Sequence, residues 1–324
     1  MPGTQGATVV DLSALIDKRG ITGFHIRLFA LTILIVLADG YDVVSIAYVA
    51  PVLLRAWHFS PAALGLLFGS GFLGGLFGPA LFGYLADRYG RKHTTIFGTA
   101  FFGLFTLLQV WATNLDELIL LRFIAGIGIS GIIPTIVALN AEYAPRRLQS
   151  TIAIISFTGI AIGGLVAGLV AVNLIASYGW QIVFWVGGVG PIIAALLGFF
   201  VFPESIKFLS LQPKRRFEMF LILARLMPGN DVPQDAVFVI GGEINRPKIR
   251  VGDLFVGRLA TITPLLWLLN VLTLMVFFFV NQWMPTLLAS EGYSIEQAQL
   301  GTLVLQIGNI LGAFLLMRPL ADRK

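Results

Sequence analysis

Eight stretches of this sequence, at 28–51, 63–84, 94–113, 117–140, 151–174, 181–202, 262–288 and 298–317, are long and apolar enough to cross a membrane. At about 1.5 Å per residue, a helix of some 20 residues spans the roughly 30 Å of hydrocarbon in a bilayer. Inside lipid every backbone amide needs a partner within the chain, so each stretch predicts an α-helix. Charge content agrees. Only 12% of the residues are charged, about half the fraction of an ordinary soluble domain. The first stretch holds two aspartates and lacks a small-residue cleavage site, so it reads as a retained helix rather than a leader peptide.

One polar segment, 204–258, interrupts the apolar runs and carries Lys214, Arg215, Arg216, Pro228, Gly229, Asp231 and Pro233. With the N-terminus in the cytoplasm, 20 of the 22 Lys and Arg fall on inside segments, leaving Arg55 outside and Arg122 within a span. That bias predicts a multi-pass protein of the inner membrane with its N-terminus and C-terminal end cytoplasmic. The net charge of +5 does not point to nucleic acid, because the basic residues are dispersed through short loops. Leu85-Ala86-Asp87-Arg88 follows the second stretch and Leu320-Ala321-Asp322-Arg323 follows the eighth, so the internal repeat is six helices long. The expected fold is all-α. It has an N-terminal six-helix half over 1–203, a cytoplasmic central loop over 204–258, and two helices of a second half over 259–324.

Asp39 and Asp42 lie near mid-depth of the first span, three positions apart and so on one helix face. A charge at a helix centre costs roughly 2.5–3.5 kcal/mol on insertion scales, so neither carboxylate faces lipid at equilibrium. The pair reads as a proton or substrate site, against the plainer reading of a packing pair satisfied by hydroxyls. Arg122 is the only basic residue within a span. It reads as a clamp for a substrate carboxylate, as the countercharge of the two aspartates, or as an anchor snorkelling to the surface. The turn from Gly83 to Lys92 places Asp87, Arg88 and Arg91 at the cytoplasmic surface, with Asp87 near the start of the third helix. Glu142 ends the fourth span and reads either as a partner for Arg88 or Arg91 or as a solvated charge. Gly71, Gly75 and Pro79 form a small-residue stripe, as do Gly159, Gly163 and Ala167, which suits helix interfaces, moving or static. Asn270, Asn281, Gln282, Gln306 and Asn309 read as cavity lining or as interhelical glue. Cysteine is absent and the three histidines lack metal-ligand spacing, so no metal or cofactor is expected. No nucleophile elbow or phosphate loop marks an enzyme.

Gly83 to Lys92 resembles the loop signature between the second and third helices of the major facilitator superfamily, and Arg122-Phe-Ile-Ala-Gly126-Ile-Gly128 resembles its fourth-helix motif. Asp39-Gly-Tyr-Asp42, Tyr48-Val-Ala-Pro51, Ala141 to Arg146, Pro203-Glu204-Ser205 and Asn281 to Thr286 resemble, in order, the aromatic acid:proton symporters within it. The resemblance implies a major facilitator-type helical bundle that imports benzoate-type or hydroxybenzoate-type carboxylates with protons. It implies proton coupling or substrate binding at Asp39 and Asp42, and charge recognition at Arg122. It further implies gating at Asp87 and Asp322, and a cytoplasmic network around Glu142 with Arg88 and Arg91. That family has twelve helices, so a chain with eight reads as a fragment or a truncated product. The same fold moving another organic anion, and a non-transporting membrane protein, are the competing expectations.

Overall fold

The structure is a computed structural model, and it describes residues 9–11, 21–226, 237–239 and 251–321. Eight long helices form the bundle: α1 (Gly23–Trp57), α2 (Pro61–Tyr89), α3 (Arg91–Leu108), α4 (Leu115–Tyr143), α5 (Arg146–Tyr178), α6 (Gln181–Val201) and, after two short helices α7 (Ile206–Ser210) and α8 (Arg216–Leu226), α9 (Leu259–Ser290) and α10 (Ile295–Ala321). Among the described residues, seven of these are long and apolar enough to cross a membrane, and α10 is a continuous helix of 27 residues containing the eighth apolar stretch. A two-stranded parallel ladder, β1 (Val9–Asp11) with β2 (Val237–Val239), ties the N-terminal segment to the polar loop.

Helix ends fall where local chemistry permits. The Asn114 side chain accepts the Glu117 amide at 2.9 Å and caps α4, whose first turn carries Asp116 and Glu117 at its positive end. α2 begins with Pro61 at its first position and ends at Gly90, whose φ of 96° suits glycine alone.

The bundle is built from close pairs, chiefly α2 with α4, α1 with α5, and α3 with α6; α9 lies against α1 and α10 against α5. Two helices can meet this closely because glycines remove side chains at the crossing. A Cβ added at Gly74 or Gly78 would collide with the α4 carbonyls of Phe123 or Ile127, and one at Gly163 with the Leu37 carbonyl of α1. Gly71 and Gly75, from the stripe expected from sequence, meet α4 as well: a Cβ added at Gly126 would strike the Gly71 carbonyl, and one at Gly75 the Ser130 hydroxyl.

Two apolar clusters bracket mid-depth. Leu53, Leu64, Leu67, Trp180 and Phe184 pack at one end of the bundle. Leu28, Ile136, Tyr143 and Phe202 pack at the other, joined by Ile206, Leu209, Met219 and Ile222 from α7 and α8. The start of the polar loop therefore closes one end of the bundle. α9 is exposed on every face over 264–277, Asn270 included, and is buried chiefly toward its C-terminal end, at Asn281, Gln282, Pro285 and Thr286.

Candidate functional site

Between the apolar clusters lies a cavity of about 530 Å³, walled by α1, α2, α4 and α5 on one side and by α9 and α10 on the other. Asp39 and Asp42 line it from α1 and Arg122 lines it from α4. Thus the structure brings together three residues singled out on two separate spans. Arg122 is 5% exposed and Asp42 is 6% exposed. The Arg122 Nη2 stands 3.4 Å from Asp42 Oδ2 and 3.5 Å from the Asp42 carbonyl oxygen. The Thr106 hydroxyl of α3 stands 3.4 Å from the other Asp42 carboxylate oxygen. These contacts are at the long end of hydrogen-bond geometry. Arg122 Nε and Nη1 are buried without a hydrogen-bond partner, and Asp39 has no such partner among the described residues.

The opposite wall is amide-rich. Gln306 donates to Asn281 at 3.0 Å, Asn309 donates to Gln306 at 3.2 Å, and Asn281 donates back to the Phe277 carbonyl of its own helix at 2.8 Å. Gln282 reaches across to α1 and donates to the Val43 carbonyl at 3.0 Å. Asn270 is exposed on α9, away from this wall. Phe68, Phe72, Phe277 and Phe278 supply aromatic surface, with Phe72 and Phe278 meeting at a centroid distance of 4.6 Å. Charged donors at one end and aromatic walls elsewhere suit an anion with a flat apolar body.

The second group of singled-out residues lies at the end of the bundle closed by α7. Glu142 pairs with Arg91 and accepts the Ser205 hydroxyl at 2.8 and 2.9 Å. Arg88 turns away to the Tyr84 hydroxyl at 2.9 Å and lies over the Tyr89 ring. Asp87 is exposed in the last turn of α2, without a partner among the described residues. The acid at the start of α3 is Glu204, only 1% exposed, which accepts the backbone amides of Lys92 at 3.1 Å and Ser205 at 2.9 Å. Gly90 leaves room for that carboxylate, since a Cβ there would strike it. Glu204 carries no role in the sequence reading, although Pro203-Glu204-Ser205 stands directly after the sixth apolar stretch. Asp322 lies outside the described residues.

A helical bundle that holds charged, incompletely paired groups at a cavity between its helices is an arrangement found in membrane transporters. The sequence matches the Major Facilitator Superfamily over residues 29–324, and the chain belongs to that family. Among its relatives, the 4-hydroxybenzoate transporter PcaK of Pseudomonas aeruginosa is 30% identical, over 96% of this chain and 70% of its own length. The benzoate transport protein of Acinetobacter baylyi is 31% identical, over 97% of this chain and 68% of its own length. The gallate transporter of Pseudomonas putida is 34% identical, over 94% of this chain and 67% of its own length. In fold, the chain is similar to the Escherichia coli xylose transporter XylE in a partially occluded inward open conformation. The TM-score is 0.70 at 18% identity, covering 93% of this chain and 72% of that one.

Proposed function

We propose that the protein is a proton-coupled symporter that imports aromatic carboxylates such as benzoate or hydroxybenzoate across the inner membrane, with its N-terminus in the cytoplasm. The observation that carries this reading is Arg122, a buried guanidinium at an aromatic-walled cavity, loosely held by Asp42 and otherwise unpaired. Benzoate, hydroxybenzoate and gallate are the substrates named for three relatives. In this reading 1–203 forms one half, 259–324 contributes the facing wall, and 204–258 is the cytoplasmic connection.

Coupling follows from shared partners. A proton on Asp42 removes the charge that competes for Arg122, so the guanidinium becomes available to a substrate carboxylate. Linkage is reciprocal: a bound carboxylate on Arg122 favours the protonated aspartates. Asp39, in the same cavity, offers the second carboxylate for that proton. The cluster of Glu142, Arg91 and Ser205 serves the cytoplasmic network, with Asp87, Arg88 and Asp322 assigned to gating loops.

The test is uptake of labelled benzoate and hydroxybenzoate into vesicles containing the protein, under an imposed proton gradient. Accumulation should collapse when a protonophore is added. Accumulation indifferent to the protonophore would remove the proton from the mechanism, and absence of any uptake would remove the aromatic acid. For orientation, a cysteine placed at position 88 should resist a membrane-impermeant reagent applied from outside; labelling there would invert the topology.

A further inference from the structure

A second cavity, of about 470 Å³, lies at the end of the bundle closed by α7 and α8. The first turns of α1, the end of α6 and α8 enclose it, and Lys92 borders it from the start of α3. α6 has 21 residues, about the length that crosses the hydrocarbon once, so its last residue, Val201, marks the membrane edge. Val201 is part of the cavity wall.

α8 points to the same level. Its Met219, Ile222 and Leu223 are buried against the bundle, yet Phe217 and Leu221 stay exposed, at 74% and 47%. Such an outward apolar stripe on a short helix suits the interfacial layer of a bilayer. Phe200 of α6, 82% exposed, joins Leu221 in lining the cavity.

Charge decides what the cavity takes. Two acids line it, and both are engaged: Glu204 accepts the Lys92 and Ser205 amides, and Glu218 pairs with Arg215 at 2.7 Å. Two cations line it as well. The Lys92 ammonium lies 5.6 Å from the centre of the exposed Phe199 ring. Arg27 is exposed and has no hydrogen-bond or ion-pair partner among the described residues. The uncommitted charge at this cavity is therefore that of Arg27, and it stands beside apolar surface at the membrane edge. A free inorganic anion would meet the charge and leave the apolar wall bare, whereas a phospholipid meets both. Basic pockets between transmembrane helices are the usual receptors of anionic headgroups.

We propose that this cavity binds an anionic phospholipid, its headgroup phosphate on Arg27 and Lys92 and an acyl chain along Phe200 and Leu221. The site is separate from the cavity of Arg122 and needs the membrane fold alone, whatever the transported substrate.

The experiment follows the melting temperature of the protein in a neutral detergent as phosphatidylglycerol or phosphatidylcholine is added, since a ligand of the folded state raises it. Phosphatidylglycerol should reach half of its effect at a concentration about tenfold or more below that of phosphatidylcholine, as expected where basic residues meet one anionic headgroup. In Arg27→Gln that preference should shrink at least about threefold, and in the double variant with Lys92→Gln it should vanish, the response to phosphatidylcholine being unchanged. Arg55→Gln, at the other end of the bundle, should keep the full preference. Equal half-effects for the two lipids in the unsubstituted protein would overturn the inference. So would a full preference in Arg27→Gln, an exposed position whose change spares the fold, or an equal loss in Arg55→Gln, which marks a general attraction to basic loops. Inorganic phosphate that reproduces the shift without lipid would make this a free-anion site and overturn it too.

Discussion

The central cavity and the Glu142–Glu204 cluster are built from the same kinds of residue and finished differently. In the cavity, Arg122 and Asp42 meet at 3.4 Å, and the guanidinium keeps Nε and Nη1 buried without partners. At the end closed by α7, Glu142 holds both Arg91 and the Ser205 hydroxyl, while Glu204 holds two backbone amides. An unpaired buried polar group costs roughly 1–3 kcal/mol, more when it is charged. A fold keeps such a cost where a ligand removes it, and satisfies its polar groups where it needs a fixed joint. The contrast therefore separates a binding site from a structural clasp, although both are acid–base clusters joining distant segments.

The most severe way to break this contrast is to remove the free carboxylate. Asp39→Asn should abolish proton-driven accumulation of substrate while leaving the protein inserted in the membrane, read as the steady-state accumulation ratio in vesicles. Accumulation at the unsubstituted level would make Asp39 part of the packing and not of the coupling. Next in size is Arg122→Lys. The ammonium is a point charge without the planar fork that fits a carboxylate, so calorimetric affinity for an aromatic acid should fall about 10- to 100-fold. Unchanged affinity together with unchanged transport would reduce Arg122 to an anchor, and the cavity would lose its distinction from the clasp.

How much of this was legible in the sequence depends on the range of the interaction. Helices were legible because lipid enforces them locally: the stretch at 181–202 became α6 at Gln181–Val201. The stretch at 28–51 became α1 at Gly23–Trp57, longer because a helix continues past the hydrocarbon edge. Asp39, Asp42 and Arg122 were legible as residues too costly to face lipid, but the 3.4 Å approach of Asp42 to Arg122 was not, since it depends on how α1 and α4 cross. The glycine contact was legible only in part. The stripe of Gly71 and Gly75 does meet α4, at Gly126 and Ser130, but Gly74 and Gly78 meet it too, and that depends on how α4 lies across α2. Asp87 shows the same limit from the other side. Nearness in sequence suggested it for the start of α3, yet it ends α2 exposed, and Glu204 fills the place from the far side of α6. Gln282 belonged to a group of polar residues that line a cavity or glue helices; it does both, standing at the cavity wall and donating to the Val43 carbonyl of α1.

Substitutions in the clasp should move stability and spare affinity. Glu142→Gln keeps an acceptor for Ser205 but removes the charge facing Arg91. Their side chains are 11% and 24% exposed, so solvent screens part of the pair. The expected loss is about 1–2 kcal/mol, seen as a lower melting temperature in detergent with ligand affinity unchanged. A fall in affinity as large as that of Arg122→Lys would show that the two clusters are one coupled site.

Glu204→Gln should have the smallest effect of the set, and the reason lies in which atoms do the accepting. One carboxylate oxygen, Oε1, takes both the Lys92 and Ser205 amides. A glutamine can keep that oxygen in place and retain both hydrogen bonds. What it loses is charge. Glu204 stands at the N-terminus of α3, where the helix dipole favours an anion by typically 0.3–1 kcal/mol, and up to about 2 kcal/mol when partly buried. Its other oxygen lies 3.3 Å from His93 Nδ1, a contact that the glutamine amide can replace by donating to the neutral ring. The net loss should therefore be about 1 kcal/mol, read as a small drop in melting temperature with uptake close to normal. Glu204→Ala should cost more, because two backbone amides then lose their acceptor. If Glu204→Gln instead destabilises as strongly as Glu204→Ala, the charge itself holds the clasp, and the satisfied hydrogen bonds do not.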